Sequence, residues 1–237
     1  MTKTLYLLII FFITQHSYAQ KIKFSYNNIE TILEYDLLID EISNTSQWKL
    51  TKNAKGEEVI NFDSNNLFFR NNDIYYLSDK TLKRRFLVKD IPVFNWSFDD
   101  KMKVNILGYT CNVASVIYRG RKFNAYYTTQ IPLKFGPWKF NGLNGLILKV
   151  ESDDGLYKFE ATNIDLNYFN DNLSKSFKSI DKYTFNSWDE FTKLYLSDLE
   201  KYIEDQKCNC DTDGRNELKI SRIEKIHPEL HDLGVVF

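Results

Sequence analysis

Gly136-Pro137-Trp138-Lys139-Phe140-Asn141-Gly142-Leu143-Asn144-Gly145-Leu146-Ile147-Leu148 carries three glycines and one of the chain's four prolines, then runs straight into apolar residues. Glycine serves positive φ or close backbone approach, proline fixes φ and removes a donor, and Asn-Gly is a strong turn signal. The stretch is a shaped loop feeding a buried strand. A glycine-rich phosphate cradle does not fit, because no Lys-Ser/Thr follows Gly145 and the next residues begin a strand instead of a helix.

Outward from this loop the chain is rich in short aromatic and β-branched runs. Leu146 to Val150 and Tyr157 to Ile164 flank the turn Ser152-Asp153-Asp154-Gly155, and Gly108 to Tyr118 and Phe123 to Thr128 flank Arg119-Gly120-Arg121-Lys122. That spacing predicts two hairpins, with Tyr118 facing Phe123. Upstream, Ile22 to Tyr26, Tyr35 to Ile39, Trp48 to Leu50, Leu67 to Arg70, Ile74 to Leu77 and Arg85 to Val88 predict an antiparallel meander. Phe94-Asn95-Trp96-Ser97-Phe98 alternates as a further strand, and Asp99-Asp100 turns the chain into Met102 to Ile106.

The pattern changes after Asn170. Ser187-Trp188-Asp189-Glu190 is a capping box, and Trp188, Phe191, Tyr195, Leu199, Tyr202 and Ile203 recur at helical spacing. They predict one amphipathic helix over about 188–204, covering the sheet, followed by a polar tail. The expected fold is mainly β (α+β): a curved antiparallel sheet or half-barrel with a C-terminal amphipathic helix.

Lys3, the apolar run Leu5 to Ile13 and Ser17-Tyr18-Ala19 form a secretory signal over residues 1–19, leaving one domain over 20–237. The expectation is an exported protein, periplasmic or extracellular after cleavage, with no transmembrane segment. Aromatics at 16% supply a core that needs no disulfides, and a net charge of -1 lacks the basic field that nucleic acid binding requires. No cofactor is expected.

Chemistry-bearing residues are sparse. Cys208-x-Cys210 with His227-x-x-x-His231 supplies the ligand types of a zinc site, but Cys-x-Cys is tighter than the usual spacing. That cluster carries the alternative reading, a metal-dependent or thiol enzyme. Cys111, inside a strand-like run, is expected to be a small buried hydrophobe. Arg119 and Arg121 flank Gly120 and precede Tyr126-Tyr127 and Trp138, so these five residues form the candidate ligand-binding set: guanidinium donors beside an apolar wall.

An ordered block of motifs, Gly108-Tyr109-Thr110-Cys111, Tyr118-Arg119-Gly120-Arg121, Ala125-Tyr126-Tyr127-Thr128, Ile131-Pro132 and Gly136 to Ile147, resembles the GLPGLI family of exported Bacteroidetes proteins. Asn144 stands where that family has proline, which keeps the turn and removes one rigid φ. The resemblance implies an envelope protein of unknown biochemical role, often encoded near TonB-dependent outer-membrane receptors, and it implies no catalytic residues. The strand pattern also looks like the half-barrel of LolA-type lipoprotein carriers, an analogy of fold. The expected protein is a non-catalytic binding or accessory protein, its partner an apolar or peptide-like ligand or an outer-membrane protein.

Overall fold

Two antiparallel meanders, joined through the first strand, build the sheet in the computed structural model, which describes residues 19–28, 31–59, 66–168, 173, 180–208, 218–219, 222–226 and 235–236. The first meander comprises β1 (Gln20–Asn28), β2 (Ile32–Asp40), β3 (Thr45–Lys52), β4 (Phe68–Asn71), β5 (Ile74–Lys80) and β6 (Arg85–Asp90). The second comprises β7 (Ser97–Ile106), β8 (Tyr109–Tyr118), β9 (Arg121–Thr128), β10 (Leu146–Ser152) and β11 (Tyr157–Asp165). Antiparallel pairing of β1 with β11 unites them, and β12 (Asn186–Ser187) adds a short parallel edge to β6. The 12-stranded order is β12-β6-β5-β4-β3-β2-β1-β11-β10-β9-β8-β7, with the two ends unpaired to each other. A separate parallel pair joins β13 (Leu218–Lys219) to β14 (Val235–Val236).

Chain connectivity forces this sheet to curl. β6 and β7 follow each other in sequence yet stand ten places apart in the order. Ten spacings of roughly 4.8 Å would part them by about 48 Å in a flat sheet, whereas the steps from Asp90 to Ser97 reach at most about 25 Å. The sheet is therefore curved and unclosed, its rims brought close enough for residues 91–96 to bridge them.

That bridge corrects one expectation. Phe94, Asn95 and Trp96 lie outside any strand. Phe94 and Trp96 stack on each other with centroids 5.6 Å apart, both pack against Phe140, and the Trp96 indole N–H donates to the Asn141 carbonyl at 2.9 Å. Their alternation records packing on the glycine loop, with no ladder partner.

Two further corrections concern register. Asp99-Asp100 does not turn the chain: β7 continues through it, and the register slips between Asp99↔Val113 and Lys103↔Asn112, a bulge with unpaired residues on one strand. In the β8–β9 hairpin Tyr118 opposes Arg121, and Phe123 opposes Val116. The loop is only Arg119-Gly120, with φ of 44° and 80°, the two positive angles that a tight twisted hairpin needs.

The loop 131–145 folds into the concave face. Ile131, Leu133, Phe135, Trp138, Phe140 and Leu143 are buried there against β1 and β8–β11. Phe140 sits at the centre, edge-on to Phe123 at 4.9 Å and within ring contact of Trp138 and Phe159. Close approach explains two of its glycines: a Cβ on Gly136 would lie 2.7 Å from the Phe140 carbonyl oxygen, and one on Gly145 only 2.1 Å from that of Thr128.

At the other end α1 (Trp188–Cys208) packs on β5 and β6, with Phe191, Tyr195 and Leu199 against Tyr75, Leu77 and Val88. Its start is the capping box: the Ser187 N–H donates to Glu190 Oε2 at 2.7 Å, and the Glu190 N–H donates to Ser187 Oγ at 3.2 Å. The helix runs four residues past Glu204. It covers one end of the sheet; the glycine loop fills the concave face beside it, and Leu173 and Ile180 form a separate cluster with Leu38, Leu67 and Phe69.

Candidate functional site

Glycine and hairpin geometry project both turn arginines toward the segment 222–226. The Arg119 guanidinium grips Asp90 at 2.6 and 2.8 Å and reaches Glu224 at 2.9 Å. Lys139, fully buried in the glycine loop, places Nζ 2.8 Å from Asp90 and 2.6 Å from Glu224. Lys139, Asp90 and Glu224 are buried and Arg119 is partly so, and the two cations and two carboxylates compensate each other, the condition under which buried charges are tolerated. The Trp188 ring floors the group, 3.6 Å from Arg119 Cζ and 4.4 Å from Lys139 Nζ. Burial pushes the Asp90 carboxyl up, but the Lys139 charge and the Arg119 hydrogen bond outweigh it and hold the group below its ordinary range.

Arg121, only 2% exposed, is equally occupied. Its Nε donates to the Ile223 carbonyl at 3.1 Å and a terminal nitrogen to that of Arg222 at 3.4 Å. It also pairs with Asp154 and lies over the Tyr157 ring. The Lys225 N–H donates to the Arg119 carbonyl at 2.9 Å. Arginines read from sequence as ligand donors are here engaged by the chain's own segment.

The remaining candidates separate. Tyr126 and Tyr127 are neighbours on β9 and take opposite faces. The Tyr126 hydroxyl donates to Glu151 at 2.5 Å, and burial with that carboxylate pushes the phenol up to about 12. Tyr127 is buried, edge-on to Phe98. Only Trp138 of the five lines the principal cavity.

That cavity, about 700 Å³, opens between the concave face of β1–β5, α1 and residues 222–224. Its wall is aromatic and aliphatic: Tyr26, Tyr35, Trp48, Leu50, Phe68 and Phe159 from the sheet, Tyr195 from the helix. Tyr35 and Trp48 stack at 4.7 Å and 9°, and Tyr26 closes on Phe159 at 4.8 Å. Burial pushes the Tyr35 phenol up to about 12 and Tyr26 higher still, so both stay neutral at physiological pH. Of the charged lining groups, Asp79 is paired with Arg222 at 2.7 Å and Glu224 is held in the buried network. Asn28, Asn66, Ser78, Lys80 and Thr81 add polar groups beside the aromatic wall, a mixed lining that suits non-covalent capture of a ligand with apolar and polar parts.

Sequence reasoning missed most of this wall because its residues come from six strands, the glycine loop, the helix and the tail. Lys139 carried one usable signal: a lone cation between Trp138 and Phe140 in an apolar loop must find buried partners. Of the zinc-type cluster, Cys210, His227 and His231 lie outside the described residues, as does the side chain of Cys208. Among the described residues no group of three His, Cys, Asp or Glu side chains is arranged to hold a metal.

Cys111 is free and wholly buried, and burial pushes its thiol up to about 11. At pH 8 only about one part in a thousand is thiolate, the reactive form. A full chain carrying Cys208→Ser and Cys210→Ser is expected to show no fast reaction with a disulfide reagent until denaturant is added. Rapid modification in native buffer would contradict the burial.

No family model and no curated protein matches the sequence. Among solved structures, PNGF-II in its C2 crystal form is similar at 16% identity and a TM-score of 0.52, over 78% of this chain and 33% of that one. An uncharacterized conserved protein from Thermus thermophilus is similar at 10% identity and a TM-score of 0.42, over 67% of this chain and 85% of that one. MucB is similar at 12% identity and a TM-score of 0.38, over 65% and 56%. The chain spans about a third of the PNGF-II chain it matches, and the likeness is one of fold.

Proposed function

We propose that this protein is a non-catalytic binding or accessory protein of the bacterial envelope, a member of the GLPGLI family, that takes an apolar or peptide-like ligand into its aromatic cavity. The observation that carries this reading is the hollow itself. A space of about 700 Å³ is lined by stacked rings whose phenols do not titrate near neutral pH. Its size falls within the range of small-ligand pockets. An envelope location rests on the signal-like N-terminus and the family resemblance; no helix among the described residues is long and apolar enough to cross a membrane.

An environment-sensitive apolar fluorophore such as N-phenyl-1-naphthylamine tests the reading. Leu33→Trp and Leu50→Trp place bulk at two half-buried lining positions. They are expected to weaken binding about tenfold or more, equivalent to about 1.4 kcal/mol, with the melting temperature nearly unchanged. Ile117→Ser, at an exposed position away from the cavity lining, should leave binding intact. Equal binding by wild type and both filled variants would remove the cavity from consideration.

A further inference from the structure

The stretch Arg222–Ile226 belongs to no strand, yet the body of the protein holds it as a bound peptide is held. Main-chain groups are read at three points: the carbonyls of Arg222 and Ile223 by Arg121, and the Lys225 N–H by the Arg119 carbonyl. Side chains are read in order. The Arg222 guanidinium meets both Asp79 oxygens, at 2.7 and 3.1 Å, and the Lys80 carbonyl at 3.1 Å. Ile223 packs on the main core, and Glu224 enters the cationic pair of Arg119 and Lys139. Gly120 permits the approach, since a Cβ there would stand 3.0 Å from that of Lys225.

This occupant fits incompletely. Arg222 Nε and the Tyr195 hydroxyl are buried without a hydrogen-bond partner, although both residues line the cavity. Displacing the segment returns Arg222 Nε to water, which lowers the cost of release, and leaves the Tyr195 hydroxyl for an incoming peptide to pair. The cavity beside Ile223 leaves room for a larger apolar side chain.

We propose that the cleft formed by the Arg119-Gly120-Arg121 turn, Lys139 and Asp79 is a peptide-binding site, occupied in cis by Arg222–Ile226, and that the partner is a peptide with the same basic, apolar, acidic order. The inference rests on the reading of the cavity as a binding site and names the ligand class. The chain's own segment acts as an internal competitor, so apparent affinity scales with the fraction of molecules in which it is displaced.

The test uses a fluorescein-labelled peptide of residues 221–226, Ser-Arg-Ile-Glu-Lys-Ile, and a control with its Arg and Glu exchanged. Full-length protein carrying Arg222→Gln and Glu224→Gln, shown by circular dichroism to be folded, is expected to bind the labelled peptide about tenfold tighter than wild type. Adding Arg121→Ala should abolish that gain. Should the double variant misfold, wild type suffices: saturating peptide should speed hydrogen exchange at the Lys225 amide, which loses its bond to Arg119. Equal binding of the exchanged peptide, or an unchanged Lys225 amide at saturating peptide, overturns the inference. If the naphthylamine probe still binds in that case, the cavity reading stands and the peptide site alone is lost; failure of both removes both.

Discussion

Replacing Lys139 with methionine is expected to destabilise the folded protein by about 3–5 kcal/mol at neutral pH, the cost typical of removing one partner from a buried ion pair. Methionine keeps the volume and removes the cation. Asp90 and Glu224, each under 5% exposed, then depend on Arg119 alone. For a chain of this size the loss corresponds to a drop of about 6–20 °C in melting temperature. Lys122→Met, which disrupts an exposed pair with Asp153, should stay within about 0.5 kcal/mol of wild type. The deficit should also depend on pH. Asp90 is depressed in the folded wild type, so its contribution is present above its unfolded value and is lost as pH falls through the folded one. In the variant the upward push of burial meets less opposition, and a protonated Asp90 no longer needs the missing cation. The gap between the two proteins should therefore narrow below about pH 4. Denaturant titrations of both proteins at pH 7 and about pH 3 measure it; a loss under about 1 kcal/mol at pH 7 would show that the network is not load-sharing in the way its burial implies.

Gly145→Ala is expected to be the most damaging glycine-to-alanine change among the described residues. Its φ of +155° is rarely adopted by residues with a Cβ, and the added carbon would lie 2.1 Å from the Thr128 carbonyl oxygen and 2.7 Å from its carbon. Both obstacles are backbone of β9, so no rotamer change relieves them. The substitution has to push β10 away from its partner, and a loss above about 4 kcal/mol, or failure to accumulate folded protein, is the expected result. Gly155→Ala is the control: φ is +71° and nothing lies within 4 Å, so only the left-handed cost of about 1–2 kcal/mol applies. Comparable melting temperatures for the two variants would refute the close-approach account of the loop.

The sheet was legible where local chemistry decides it. Aromatic and β-branched runs, two-residue turns with glycine and the Ser187/Glu190 box each act over a few residues. Long-range pairing leaves no such trace. The alternation of Phe94 and Trp96 looked like the start of a strand because packing on one surface produces the same period as a ladder, whereas Phe98 does sit in one. The candidate site suffered more. Arg119 and Arg121 stood out as turn residues, but their partners Asp90, Asp154, Ile223 and Glu224 are distant in sequence and unremarkable there. The tail looked merely polar, yet residues 222–224 form part of the cavity wall.

The pairing of β1 with β11 has a consequence for how the chain acquires its shape. Synthesis proceeds from the N-terminus, so the first meander can assemble while β1 still presents an unsatisfied edge bearing Phe24 and Tyr26. Only when Tyr157–Asp165 has emerged does that edge find its mate. The sheet is completed at its middle, by contacts between the most distant segments of the two halves, and such closures are slow. During that interval the nascent protein offers strangers an adhesive rim, which makes the order of synthesis itself a hazard that holding factors or rapid closure must contain.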